Sequence, residues 1–305
     1  MTTGTRGMKS FGTRFLILAP YLWLALFFVL PGLIILRISL SQSAIAQPPY
    51  TPVLDLAAGW TGVMEFVQGL TVSNYVSLAA DTIYAASYLK SLQIALISTA
   101  ILFVVGYPIA YAVSRLSPRW QTVGMMLVIL PFWTSFLIRV YAWITILQHD
   151  GLLNRILLAL HIIDAPASWL ASDTAIYIGI VYSYLPFMIL PLYATLQKID
   201  PALLEAAADL GASRMKAFFA VTLPLSVPGI AAGALLCFIP IVGEFVIPDL
   251  LGRSETMMIG QTLWTEFFSN KDWPIASAIA IVLLCVLVIP IAAFERLRLR
   301  TTEDR

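Results

Sequence analysis

The sequence predicts an all-α protein of the membrane, a polytopic bundle with six transmembrane helices. The mean hydropathy is +0.88 over 305 residues, 60% of the chain is hydrophobic and only 11% is charged. A water-soluble domain does not reach that balance. The charges also fall in short blocks between apolar stretches, the loop pattern of a helical bundle. Six stretches are long enough to cross roughly 30 Å of hydrocarbon as helices.

In chain order they cover about 15–36, 88–114, 121–147, 173–197, 225–250 and 275–294, in one transmembrane domain of residues 1–305. Arg6, Lys9 and Arg14 precede the first run, and Ala44-Ile45-Ala46 resembles a cleavage site for a secretory signal. However, Phe15 to Leu36 is 22 residues long, beyond the roughly 7 to 15 of a signal core, so an uncleaved first span is expected. Residues 38–87, with "QPPYTP" and scattered Trp60, Phe66 and Tyr75, read as an ordered cap on one side of the membrane. His149 and His161, between spans three and four, read as solvated or capping side chains and not as a metal pair. Cys237 and Cys285 each lie inside an apolar run and read as small buried hydrophobes.

The lysines and arginines set the orientation. With the N-terminus inside, twelve fall on the cytoplasmic side and five (Arg37, Lys90, Arg155, Arg253, Lys271) on the other, while Arg139 falls inside span three. Both termini are therefore expected in the cytoplasm, and with them residues 198–224. A net charge of +1 offers no basic patch to nucleic acid. No Walker-type glycine loop, His-Glu-x-x-His or Gly-x-Ser-x-Gly occurs, so neither ATP chemistry nor hydrolysis is expected on this chain.

Six of the nineteen residues from Lys198 to Lys216 are charged. Asp200-Pro201 is a helix start, since the Asp carboxylate can accept from free amides and Pro201 needs no N–H there. Gly211 is placed to end that helix in a left-handed conformation, and Ser213 to cap a second one through "RMKAFFAVT". The result is a helix, a turn and another helix, too short to span, with Leu203, Leu204, Ala207, Leu210 and Ala212 as a knob. Such a knob suits a groove on a partner or the membrane surface; the residues alone do not choose.

"EAAADLGASRMKAFFAVTLP", residues 205–224, resembles the Glu-Ala-Ala loop of permease subunits from bacterial ABC importers. Glu205, Ala206, Ala207, Gly211, Leu223 and Pro224 match in place, and Val221 stands where isoleucine is usual. The resemblance implies the type I importer permease fold, in the bacterial inner membrane. It also implies that 198–224 is a coupling loop docking into a separate ATP-binding subunit, with Glu205 and Asp209 at the contact and Gly211 making the turn. ATP and Mg would then belong to that partner, with no cofactor on this chain. "PPYT" at 48, "PFWTSFLIRVYAW" at 131, "GEFVIPDLLG" at 243 and "QTLWTEFFSNKDWPIASA" at 261 are similar to the first permease of polyamine importers, closest to the putrescine type. Implied partners are a second permease in a heterodimer, two ATP-binding subunits and a periplasmic substrate-binding protein, besides the lipid bilayer. Permeases for sulfate, phosphonates or opines share the architecture.

Ionisable residues within spans are costly and so mark function. This chain has Arg139 in span three, with Glu244 and Asp249 in span five. One expectation is that Arg139 and Glu244 pair; the other is that Glu244, or Asp249, meets a cationic solute, with an anionic solute at Arg139 as the alternative. Pro240 and Pro248 flank Glu244 and predict a kink or break beside it, at a cavity wall. A flexible chain of ammonium groups also needs aromatic faces. Trp133, Tyr141, Trp143 and Tyr184 are the candidates, with Tyr182 and Phe187 beside them.

Overall fold

The computed structural model describes residues 18–55, 57, 59–253 and 257–303, with side chains described as far as residue 292. Arg6, Lys9 and Arg14, and the side chains of Arg296, Arg298, Arg300 and Arg305, on which the orientation leans, lie outside the described residues.

Helix α1 (Leu18–Ser39) leads into a short antiparallel hairpin, β1 (Gln42–Ser43) with β2 (Tyr50–Thr51), in the register Gln42 to Thr51. Then come α2 (Gly59–Gln68), α3 (Ser73–Ala80), α4 (Thr82–Ser114), α5 (Pro118–Trp133), α6 (Phe136–Leu147) and α7 (Leu152–Ala159). The chain continues through α8 (Asp173–Leu196), α9 (Pro201–Asp209), α10 (Arg214–Val242) and α11 (Val246–Leu251). It closes with α12 (Ile259–Trp264), extended by a π turn (Thr265–Ser269), and α13 (Trp273–Glu303). Among the described residues α1, α4, α8, α10 and α13 are long and apolar enough to cross a membrane, and α5 with α6 makes a sixth if the bent pair is one span.

That bend corrects the expectation of one unbroken helix over 121–147: α5 and α6 meet at 89°. Leu130–Trp133 tightens into a 3-10 turn around Pro131, and Thr134 and Ser135 leave the helical region at ψ 152° and 138°. Thr134 closes the turn by donating its hydroxyl to the Pro131 carbonyl at 2.7 Å. Proline removes a helix hydrogen bond and crowds the preceding turn, but a hydropathy window averages over two non-helical residues and cannot see them.

Span five also differs from the 225–250 expected. The helix begins at Arg214, so the segment beyond the charged turn is no separate short helix, and it stops at Val242. The stretch Phe218–Thr222 within it is a π turn, as is Ala25–Val29 in α1. Each ends two residues before a proline, Pro224 and Pro31. A proline ring clashes with the carbonyl four residues back, here inside the π turn, whose wider spacing gives the ring room without ending the helix.

The chain divides into two compact units. One comprises residues up to Asp81 with Leu263–Cys285. In it Asn74 donates from Nδ2 to the Ser39 and Ser41 carbonyls at 2.8 and 2.7 Å, and the Ser39 and Tyr75 hydroxyls share a hydrogen bond of 2.6 Å. These bonds satisfy the carbonyls left open where α1 ends.

The other unit, Thr82–Thr262 with residues from Val286 on, is built on α8 packed between α4 and α10. Ile94 and Leu102 of α4, Ile180, Met188, Ile189 and Leu192 of α8, and Cys237 and Ile241 of α10 are fully buried there. Close approach is set by glycines: a Cβ on Gly229 would lie 2.6 Å from the Thr195 Oγ1, and one on Gly233 3.1 Å from the Met188 carbonyl. Cys285, expected to be buried like Cys237, is exposed on α13. An apolar run in a membrane protein need not pack on protein, because lipid is as apolar as a leucine core.

Candidate coupling and pathway sites

The charged segment folds into a turn with every local bond assigned. Asp200 caps α9 by accepting from the Ala202 amide at 2.9 Å, with Pro201 at the first helical position. Past its end, the Gly211 amide donates to the Ala208 carbonyl at 2.8 Å and the Ala212 amide to the Ala207 carbonyl at 3.0 Å. This paired closure needs a left-handed residue, and Gly211 supplies it at φ +79°. Ser213 then accepts from the Lys216 amide at 3.3 Å and starts α10.

The turn presents its side chains outward. Leu210 is 89% exposed, and Leu203, Met215 and Phe219 are exposed with it. Glu205, Ala206, Asp209 and Pro224 are exposed, while Ala207 and Leu223 are half-buried. Four large apolar side chains thus lie in the open beside charged ones.

At the other candidate site α10 ends at Val242 and the chain turns through Gly243, Glu244 and Phe245 before α11. Glu244 occupies that break and is 9% exposed. Its Oε1 accepts from the amides of Phe245, Val246 and Ile247 at 3.2, 3.0 and 3.4 Å, so the carboxylate caps α11. Its Oε2 accepts from the Tyr184 hydroxyl of α8 at 2.5 Å.

The expected Arg139–Glu244 pair does not form: each of the two side chains has other partners. Arg139, near the start of α6 and 9% exposed, lies with its guanidinium 4.4 Å from the Phe132 ring centroid and 5.9 Å from that of Phe136. Its Nε and Nη1 are buried without a hydrogen-bond partner. The separation follows from the bend, which lays Phe132 beneath the cation, and from the amides at the α11 start, which engage Glu244. Asp249 is exposed on α11 and accepts from the Gln261 amide at 3.4 Å.

The aromatic candidates divide. Trp133 and Tyr141 are largely exposed, whereas Trp143 is half-buried against Tyr182, ring centroids 5.4 Å apart. Tyr184 is tied to Glu244, and Phe187 touches both Tyr184 and Phe132. Sequence reasoning missed the Tyr184–Glu244 bond, because partners 60 residues apart leave no local pattern, and the Phe132–Arg139 contact, because it depends on the α5–α6 bend.

Residues 103–294 match the family described as the binding-protein-dependent transport system inner membrane component. The chain is 37% identical over 274 residues to the spermidine/putrescine transport system permease protein PotB of Haemophilus influenzae, covering 90% of each. It is 37% identical to the protein of that name from Escherichia coli K12, covering 90% of this chain and 93% of the relative. In fold it is similar to a solved bacterial alginate ABC transporter in complex with a pentasaccharide-bound periplasmic protein, at TM-score 0.72 and 18% identity, over 97% of each chain. The chain thus belongs to the inner membrane components of binding-protein-dependent transport systems, with the type I ABC importer permease fold.

Proposed function

We propose that this chain is the transmembrane permease subunit of an ATP-driven polyamine uptake system, for putrescine or spermidine, and supplies half of the solute pathway. The observation that carries this is the 37% identity, across nine tenths of the chain, to permeases named for spermidine and putrescine transport. The other half comes from a second, similar permease. Two ATP-binding subunits hold ATP and Mg on the cytoplasmic side, where both termini lie, and a periplasmic binding protein delivers the solute.

Residues 198–224 form the coupling loop. Its capped α9, the left-handed Gly211 and the exposed Leu203 and Leu210 support docking into a cleft better than a resting place on lipid, because charged Glu205 and Asp209 share that open surface. Glu205, Ala206, Ala207, Asp209 and Gly211 meet the ATP-binding subunit, while Leu223 and Pro224 carry the motion into α10. Closure of that subunit pulls on the loop and turns the pathway outward. Asp249, Trp133, Tyr141, Trp143 and Tyr184 line the pathway, framed by Glu244 and Arg139. An exposed carboxylate and exposed ring faces are what a chain of ammonium groups needs as it sheds water.

The test is uptake and ATP hydrolysis by the reconstituted complex with its binding protein. Stimulation by putrescine- or spermidine-loaded binding protein is expected. Stimulation by sulfate or a phosphonate instead would move the assignment to an anionic solute, for which the unpartnered Arg139 N–H groups are the natural contact.

A further inference from the structure

We infer that Glu244 is a positioning residue, pinned between the start of α11 and Tyr184, and not the group that meets the transported solute. This rests on the permease reading above but not on which solute is carried. A carboxylate has about four acceptor sites on two oxygens. Here the amides of Phe245, Val246 and Ile247 crowd Oε1, and the Tyr184 hydroxyl takes one of the two sites on Oε2. A solute ammonium would have to displace the amides at Oε1, or crowd in beside Tyr184 at Oε2 of a side chain that is only 9% exposed. The amides of Val246 and Ile247 belong to the first turn of α11, where a helix supplies no carbonyl of its own. Displacing them would leave buried donors unpaired, which costs about 1–3 kcal/mol each.

The engagement also reaches beyond the break. Tyr184 lies two residues before Pro186, inside α8. Its ring lies 6.0 Å from that of Phe187, and the Phe187 ring lies 5.5 Å from that of Phe132 at 80°. Phe132 in turn carries the Arg139 guanidinium at 4.4 Å, across the α5–α6 bend. One contact chain, Glu244 to Tyr184 to Phe187 to Phe132 to Arg139, therefore ties together the α10–α11 break, the stretch of α8 around Pro186 and the α5–α6 bend. At the first and last of these points a helix is interrupted, and α8 runs unbroken between them. Glu244 anchors one end through hydrogen bonds, and Arg139 holds the other through ring faces, which accounts for two ionisable groups in this region without pairing them. A group in that position sets how readily the interrupted helices rearrange, so it governs turnover and leaves solute affinity to Asp249 and the exposed rings.

The experiment uses the complete reconstituted complex with its binding protein, comparing wild type with Glu244→Gln, Glu244→Ala, Tyr184→Phe and the Glu244→Gln/Tyr184→Phe double variant. Glutamine keeps an oxygen for the amides. Glu244→Gln is thus expected to hold KM for solute within about twofold, with kcat lowered severalfold and Glu244→Ala far worse. The kcat losses of Glu244→Gln and Tyr184→Phe are expected not to multiply in the double variant, since each removes the same charge-assisted bond, glutamine offering Tyr184 only a neutral amide. A roughly tenfold or larger rise in KM for Glu244→Gln at unchanged kcat, the mark of a lost charged contact, would overturn the inference. So would kcat losses that multiply. Failure of wild type to carry a polyamine would count against the proposed solute alone, and the same comparison then runs on ATP hydrolysis stimulated by the binding protein. If Glu244→Ala does not fold, the near-isosteric Gln and Phe variants still decide.

Discussion

Replacing Gly211 separates backbone conformation from bulk at the proposed coupling turn. The residue sits at φ +79° with nothing within 4 Å of where a Cβ would stand, so within this chain a side chain meets open space. The penalty for alanine or leucine is therefore the left-handed backbone alone, about 1–2 kcal/mol. That lowers the population of the native turn relative to alternatives by a factor of about 5–30. Asparagine tolerates the left-handed region better. Uptake by the reconstituted complex should fall from Gly to Asn and then to Ala and Leu alike, while the amount of protein in the membrane stays level, because the turn is exposed and outside the α4–α8–α10 core. Wild-type uptake by Gly211→Leu would refute the coupling role. Asparagine performing worse than alanine would refute the backbone account, and would point to the width of a partner's cleft as the constraint.

Gly229→Ala should lower thermal stability in detergent by about 1–3 kcal/mol, the cost of overpacking, because its Cβ would lie 2.6 Å from Thr195 Oγ1 and 3.0 Å from the Pro191 carbonyl. Gly32→Ala, with nothing within 4 Å, is the control and should not lower it. Asn154 is 1% exposed and bonds the His149 carbonyl at 2.9 Å, the Ala167 carbonyl and amide at 2.8 and 3.1 Å, and Trp169 Nε1 at 2.7 Å. Asn154→Ala should cost more than about 2 kcal/mol, since several buried groups lose their partner at once, and a melting midpoint equal to wild type would contradict this. Asp249→Asn should raise the KM for polyamine uptake severalfold with little change in melting temperature, as the carboxylate is exposed and holds one long hydrogen bond; an unchanged KM would remove it from the pathway.

The all-α class was legible because a membrane helix is selected by its own composition: with no water to satisfy backbone groups, an apolar run of sufficient length closes its hydrogen bonds internally. The charged turn was legible for a similar reason. Asp200, Gly211 and Ser213 act on amides and carbonyls within a few residues, so their spacing already encodes the bonds the structure shows. Pro240 and Pro248 likewise announced the break beside Glu244.

What the tertiary structure decided is where each buried charge finds its partner. Opposite charges within two spans invited a pair between Arg139 and Glu244, yet the 89° bend after Trp133 turned α6 away from a straight continuation of α5. The carboxylate was then taken by the amides one to three residues along its own chain and by a tyrosine 60 residues earlier, while the guanidinium settled on rings it gained from the bend. Composition fixes which segments leave water. Which group then satisfies a charge already out of water depends on distances that only the packed helices define.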